Sequence, residues 1–118
     1  MKTDLEPFLP LSVAAQHILL ALSDEDRHGY GIMQEVARQS EGKYKMGSGT
    51  LYDNLEKLID QGLVAESSRR STKDDPRRRY YRLTAFGRRI FSAEIARMES
   101  VVREAKLRLR AAKPKEAL

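Results

Sequence analysis

The chain has no cysteine and no tryptophan among its 118 residues, and only two histidines and four prolines. Without a thiol there can be no disulfide framework, no thiolate metal site and no cysteine nucleophile. The only imidazoles are His17, inside a helical apolar pattern, and His28, at the turn into the next one. No nucleophile–base pair or phosphate-binding glycine loop accompanies either, so the chain reads as non-enzymatic and free of cofactors. Asp24, Glu25, Asp26 and His28 are metal-ligating types, but a charged run between two helices is a solvated loop and no metal site is assigned. No apolar run approaches the roughly 18–20 residues that cross a bilayer, and acids stand at Asp4 and Glu6 where a signal peptide carries an apolar core. A cytoplasmic protein with no membrane partner is expected.

Against these absences stands an uneven distribution of charge. Apolar residues at 41% leave enough for a core beside the 33% that are charged, and the formal net charge is +5. Residues 1–66 carry six Lys/Arg against eleven Asp/Glu, residues 67–89 nine against two, and residues 90–118 seven against four. A solvated ribbon normally mixes both signs, so the concentration of positive charge around Arg77, Arg78, Arg79 and Arg82 points to a polyanionic partner.

The length suits one domain plus an extended helix. Helical spacing of Val13, Ala14, Ile18, Ala21 and Leu22 predicts a first helix over about 11–23, and Ile32, Met33, Val36 and Ala37 a second over 29–40, stopped by Gly42. Leu51, Leu55, Leu58 and Ile59 predict a third over 48–61 with Ser48 as N-cap and Gly62 as stop. A short extended piece at Tyr44-Lys45-Met46 is expected between the second and third. Extended character from Leu63 and period-two alternation over 78–84, with Tyr81 and Leu83 on one face, predict a hairpin turning at 71–76. The fold class is therefore mainly α with a small β-hairpin (α+β): a winged helix-turn-helix over 1–84 whose wing is about 63–84. A plain three-helix bundle with a β-ribbon arm, or an edge hairpin used for oligomerisation, fits the same pattern less simply.

A last helix is predicted over 85–111, followed by a disordered tail at 112–118. Phe91, Ile95, Met98, Val102, Ala105 and Leu109 recur at alternating spacings of 4 and 3, a heptad seam. So long a seam cannot be buried against a domain this small, and a homodimer interface is expected along it, with the segment Leu11–Leu22 sharing in it.

His28-Gly29-Tyr30, Gly49-Thr50-Leu51-Tyr52 and Arg79-Tyr80-Tyr81-Arg82-Leu83-Thr84 followed by Gly87 occur in an order and spacing that strongly resembles the PadR family of bacterial transcriptional regulators. The likeness runs from about Ile18 to Gly87 and is to the compact members with a single long C-terminal dimerisation helix. It implies a homodimeric winged-helix repressor that binds an inverted-repeat operator and releases it when an effector binds. Gly31, Gly47-Ser48, Asp53 and Asn54 depart from the usual family residues, which bears on operator sequence rather than on DNA binding.

In a helix-turn-helix the start of the second helix of the motif meets base edges. Here that places Ser48, Thr50, Tyr52, Asp53 and Asn54 as base readers, with Asn54 suited to adenine and Asp53 to cytosine N4. Asp53, Glu56 and Asp60 leave that helix with little attraction for phosphate, so affinity falls to Lys73, Arg77, Arg78 and Arg79 at the wing, supported by Tyr80, and to Lys43, Tyr44, Lys45 and Lys57 elsewhere. Phe91, Ile95 and Met98 form the candidate pocket for a small aromatic effector. The alternative function is a non-enzymatic adaptor that pairs through its last helix and binds RNA or other polyanions through the basic ribbon.

Overall fold

The computed structural model describes residues 5–68 and 77–112. A single 3-10 turn at Glu6–Phe8 precedes α1 (Val13–Ala21), and a two-residue strand β1 (Arg27–His28) leads directly into α2 (Gly29–Gln39). Then come α3 (Ser48–Asp60), the strands β2 (Val64–Ser67) and β3 (Tyr80–Leu83), and the long α4 (Ala85–Ala111). Helix starts are fixed by side chains that take up otherwise orphaned N–H groups. Ser12 Oγ accepts from Ala15 N at 3.1 Å, His28 Nδ1 from Gly31 N at 3.0 Å, and Thr84 Oγ1 from Gly87 N at 2.9 Å. Gly47, not Ser48, caps α3: Ser48 is already its first helical residue, and the cap has no side-chain hydrogen bond.

Helices α1, α2 and α3 enclose the core. Ile18, Leu19, Ile32, Val36, Leu51, Leu55 and Leu58 are buried from the helical side, Leu63, Val64 and Tyr81 from the sheet, and Ile90 from α4. Each such side chain contributes about 1.5–3 kcal/mol on leaving water. The α1 stripe differs from the pattern read in the sequence: Val13 points outward and Ala15 and Leu19 take its place inside. Ile59 also points outward, at 39% exposure. Each step of four residues advances about 40° around a helix, so Ile59 lies about 80° from Leu51 and leaves the buried face that Leu58 keeps.

The sheet has three antiparallel strands in the order β1-β3-β2, one more than the expected hairpin. Val64 pairs with Leu83 and Ser67 with Tyr80, while Arg27 and His28 pair with Tyr81 and Tyr80 on the other edge of β3. Two residues show no period, so β1 has no sequence signature of its own. The segment Tyr44 to Met46 is irregular chain rather than a strand, with Met46 buried.

Helix α4 leaves the body partway along its length. At 27 residues it measures about 40 Å, and the described chain extends 60 × 37 × 22 Å. The radius of gyration is 17.4 Å, against about 13.5 Å for a compact chain of this length. Ile90 anchors its first half in the core, and three further contacts position it. Phe86 meets Phe8 edge-to-face at 5.3 Å. Gly87 lies so close to the Leu63 carbonyl that any Cβ there would overlap it. The third is Glu94, fully buried and saturated with donors: Leu11 N at 3.1 Å, Gln16 Nε2 at 2.8 Å, and Arg97 through Nε at 2.7 Å and Nη2 at 3.1 Å. From Glu99 onward every described side chain of α4 is exposed.

The Arg97 hydrogen bond, with help from Gln16 and Leu11, holds the Glu94 carboxyl below its ordinary value of 4.5 despite burial, which acts the other way. A carboxyl lowered on folding contributes stability at pH values above the ordinary range and loses it as pH falls through that range toward the folded value. Glu94→Gln is therefore expected to unfold about 1–3 kcal/mol more easily than wild type at pH 7. Denaturant melts should show that gap closing as the pH is lowered below 4.5; a gap independent of pH would contradict the charged clamp.

Candidate nucleic-acid interface

Between the start of α2, the first turns of α3 and the base of the wing lies an open cleft of about 440 Å³. Its walls are His28, Gly29, Tyr30, Tyr52, Arg77, Arg78, Arg79 and Tyr81. The strand pairing of β1 with β3 builds it, because Tyr80 is held opposite His28 while Arg77, Arg78 and Arg79 lead into the same strand. His28 is used twice. Its Nδ1 caps α2, its ring meets Tyr80 edge-on at 5.3 Å, and its Nε2 lies 3.2 Å from Arg78 Nη1. Arg79 reaches Glu66 at 3.5 Å, an ion pair with both partners largely in water that contributes little to stability. All three arginine side chains are exposed and share the cleft with Tyr52 of α3.

Tyr52 enters this cleft from α3 by lying across Gly29, the first residue of α2, where a Cβ would overlap the tyrosine hydroxyl. The histidine-glycine-tyrosine and glycine-threonine-leucine-tyrosine motifs are thus two halves of one contact. Tyr81, beneath, has its hydroxyl pushed up by burial and is a structural floor to the cleft.

The five base-reading candidates do not share one direction. Ser48, Thr50, Tyr52 and Asp53 are exposed, but Asn54 is half-buried and donates its amide to Thr50 O at 2.8 Å. Tyr52 faces the wing. Asn54 and Lys57 line a different groove, against Pro7, Phe8 and Leu11 on the opposite flank. Between the flanks, Asp53, Glu56 and Asp60 form the exposed ridge of α3. Lys43 and Lys45 are exposed just before α3, whereas the Tyr44 ring stacks on His17 at 4.5 Å and Tyr80 is half-buried against His28. Lys73 and the turn at 71–76 lie outside the described residues.

Along α4, Phe91 packs against the core of its own domain. Ile95, Met98 and Val102 instead line a shallow groove with Glu99, Arg103 and Lys106, and Ala105 and Leu109 are exposed. The three effector-pocket candidates are therefore divided, Phe91 not lining the groove that Ile95 and Met98 form. Val101 on α4, and Val13 and Leu20 on α1, add exposed apolar surface that the heptad pattern misses. Among the described residues no group of three or more His, Asp or Glu side chains is placed to hold a metal ion, and no helix is long and apolar enough to cross a membrane.

Residues 18–93 match the model of the transcriptional regulator PadR-like family. The chain is similar to the transcriptional regulator Rv3488 of Mycobacterium tuberculosis, at 34% identity over 88 residues covering 75% of this chain and 78% of the relative. The fold is similar to that of a PadR family transcription regulator from Clostridium difficile, with a TM-score of 0.69 at 19% identity, covering 83% of this chain and 99% of that one. It is also similar to RosR of H. salinarum, with a TM-score of 0.60 at 29% identity, covering 82% of this chain and 79% of that one.

Gly29→Ala is expected to expel Tyr52 from the cleft while leaving α2 helical, since alanine is the better helix former. Far-ultraviolet dichroism should be unchanged, with the tyrosine hydroxyl region of the NMR spectrum altered and the melting temperature lowered by a few degrees. An unshifted Tyr52 resonance would contradict the contact.

Proposed function

Because the chain belongs to the PadR-like family of DNA-binding transcriptional regulators, we propose that it acts in the cytoplasm as a repressor, a homodimer on an inverted-repeat operator. The observation that carries this reading is the cleft in which Arg77, Arg78 and Arg79 stand beside Tyr52 at the start of α3. Three guanidinium groups in a row straddle a sugar–phosphate backbone, and the adjacent helix start is the part of a helix-turn-helix that enters the major groove. The arginines supply attraction that α3 lacks, with Lys43, Lys45 and Lys57 holding the flanking backbone and Lys73 adding to the attraction.

Base identity is read on α3. Asp53, at the crest of the ridge, accepts from cytosine N4; Ser48, Thr50 and Tyr52 approach from the wing side and the helix start, Asn54 from the other flank. An acidic ridge in the groove meets phosphates unfavourably, so it binds well only where base donors face it, which favours sequence discrimination over tight binding to any DNA.

The largely exposed seam supports pairing. Ile95, Met98, Val102, Ala105 and Leu109 are the a/d positions that a second α4 covers, with Val101 and the outer face of α1, Val13 and Leu20, widening the stripe beyond one helix's width. A small aromatic effector inserted at Ile95 and Met98, beside Phe91, would change the crossing of the two α4 helices and thereby release the operator.

Selection of bound duplexes from a random pool at two salt concentrations tests this. A dimer making on the order of 6–10 phosphate contacts loses about 10³- to 10⁵-fold in affinity between 50 and 200 mM salt. A flat salt response, or equal binding of single-stranded RNA, would sink the reading in favour of an adaptor. Arg77→Ala and Arg78→Ala are expected to weaken binding to all duplexes alike, whereas Asp53→Asn reorders the preferred sequences.

A further inference from the structure

We infer that Glu94 is a positioning residue for DNA recognition: its clamp on α1 sets the angle of α4 to the DNA-binding body and so the operator spacing that the dimer accepts. This rests on the dimeric DNA-binding reading above. The donors to Glu94 come from both sides of the junction. Leu11 N and the Gln16 amide belong to the segment leading into α1 and to α1 itself, and Arg97 to α4 one turn farther on. A carboxylate accepts all four hydrogen bonds with its two oxygens, Oε2 taking three of them. A glutamine of the same shape offers one oxygen and turns an NH₂ toward groups that are themselves donors.

Below this clamp α4 is fixed to the body by Phe86, Gly87 and the buried Ile90; from Glu99 onward its described side chains are exposed and form the pairing arm. Glu94 is thus the last fully buried side chain before the free arm, with one further contact a turn on, from Gln16 Nε2 to Met98 Sδ at 3.5 Å, and a dimer joined through that arm transmits its angle to both recognition helices. A lever on the order of 20 Å between the junction and α3, swung by about 10°, moves α3 about 3.5 Å, close to the rise of one base pair. Recognition helices must stand about 34–36 Å apart, or at a multiple. An error of one base pair in that separation is what an operator detects.

The test uses the duplex that the full-length wild type selects from a random pool, its half-sites kept and the spacing between them changed by one or two base pairs in each direction. Wild type is expected to lose about tenfold or more in affinity for each base pair added or removed. Glu94→Gln is expected to flatten or shift that profile, with neighbouring spacings within about threefold of one another, and Arg97→Ala, which removes only an exposed partner, to do so more weakly. Val36→Ala, a core change in α2 away from α4, should lower the melting temperature and keep the wild-type profile. If Glu94→Gln does not fold, the Arg97→Ala profile decides. A sharp wild-type profile that is unchanged in both clamp variants overturns the inference alone. A wild type with no spacing preference, or no duplex binding, overturns the dimeric reading and the inference with it.

Discussion

A carboxylate with no access to water takes hydrogen bonds from the chain leading into α1, from α1 itself and from α4, and so ties the long α4 to the three-helix body. An ionised group buried without partners would cost several kcal/mol, so Glu94 is tolerable only with its donors in place. That makes the junction directional. Apolar contacts such as Phe8 on Phe86 hold the surfaces together over a range of angles, whereas hydrogen bonds to one carboxylate fix a single one.

The second constraint, in the proposed DNA complex, is the separation of attraction from reading. The ridge of α3 presents Asp53, Glu56 and Asp60, while the row Arg77–Arg79 lies on its wing flank. Tyr52 joins the two because Gly29 leaves room for it. A basic α3 would bind any phosphate backbone; in the proposed DNA complex this helix takes affinity from the arginines and choice from its own groups.

Much of the fold was legible in the sequence. The three-helix order, the wing and the long last helix follow from apolar periods and glycine positions, and the arginine row from charge counts alone. The third strand was not, because Arg27 and His28 are too few to show alternation, and Ile59 misled because a leucine ladder drifts around its helix. Asn54 belongs by spacing to an exposed turn, yet the N-terminal segment that packs beside it cannot be placed by period. Glu94 was the largest omission: in sequence it is one acid among many on an amphipathic helix, and only the approach of Gln16 and Leu11, nearly eighty or more residues away, gives it a role.

The most direct test of the central claim, that a clamped α4 presents two α3 helices at one separation, uses the absence of cysteine. A single Asp60→Cys change on the exposed end of α3 accepts one spin label per chain, and the distance between labels can be measured by pulsed dipolar spectroscopy with and without selected duplex. The account predicts one narrow distance distribution on DNA, consistent with recognition helices about 34–36 Å apart or a multiple of that. No dipolar coupling between chains, or a broad distribution that DNA leaves unchanged, would contradict it.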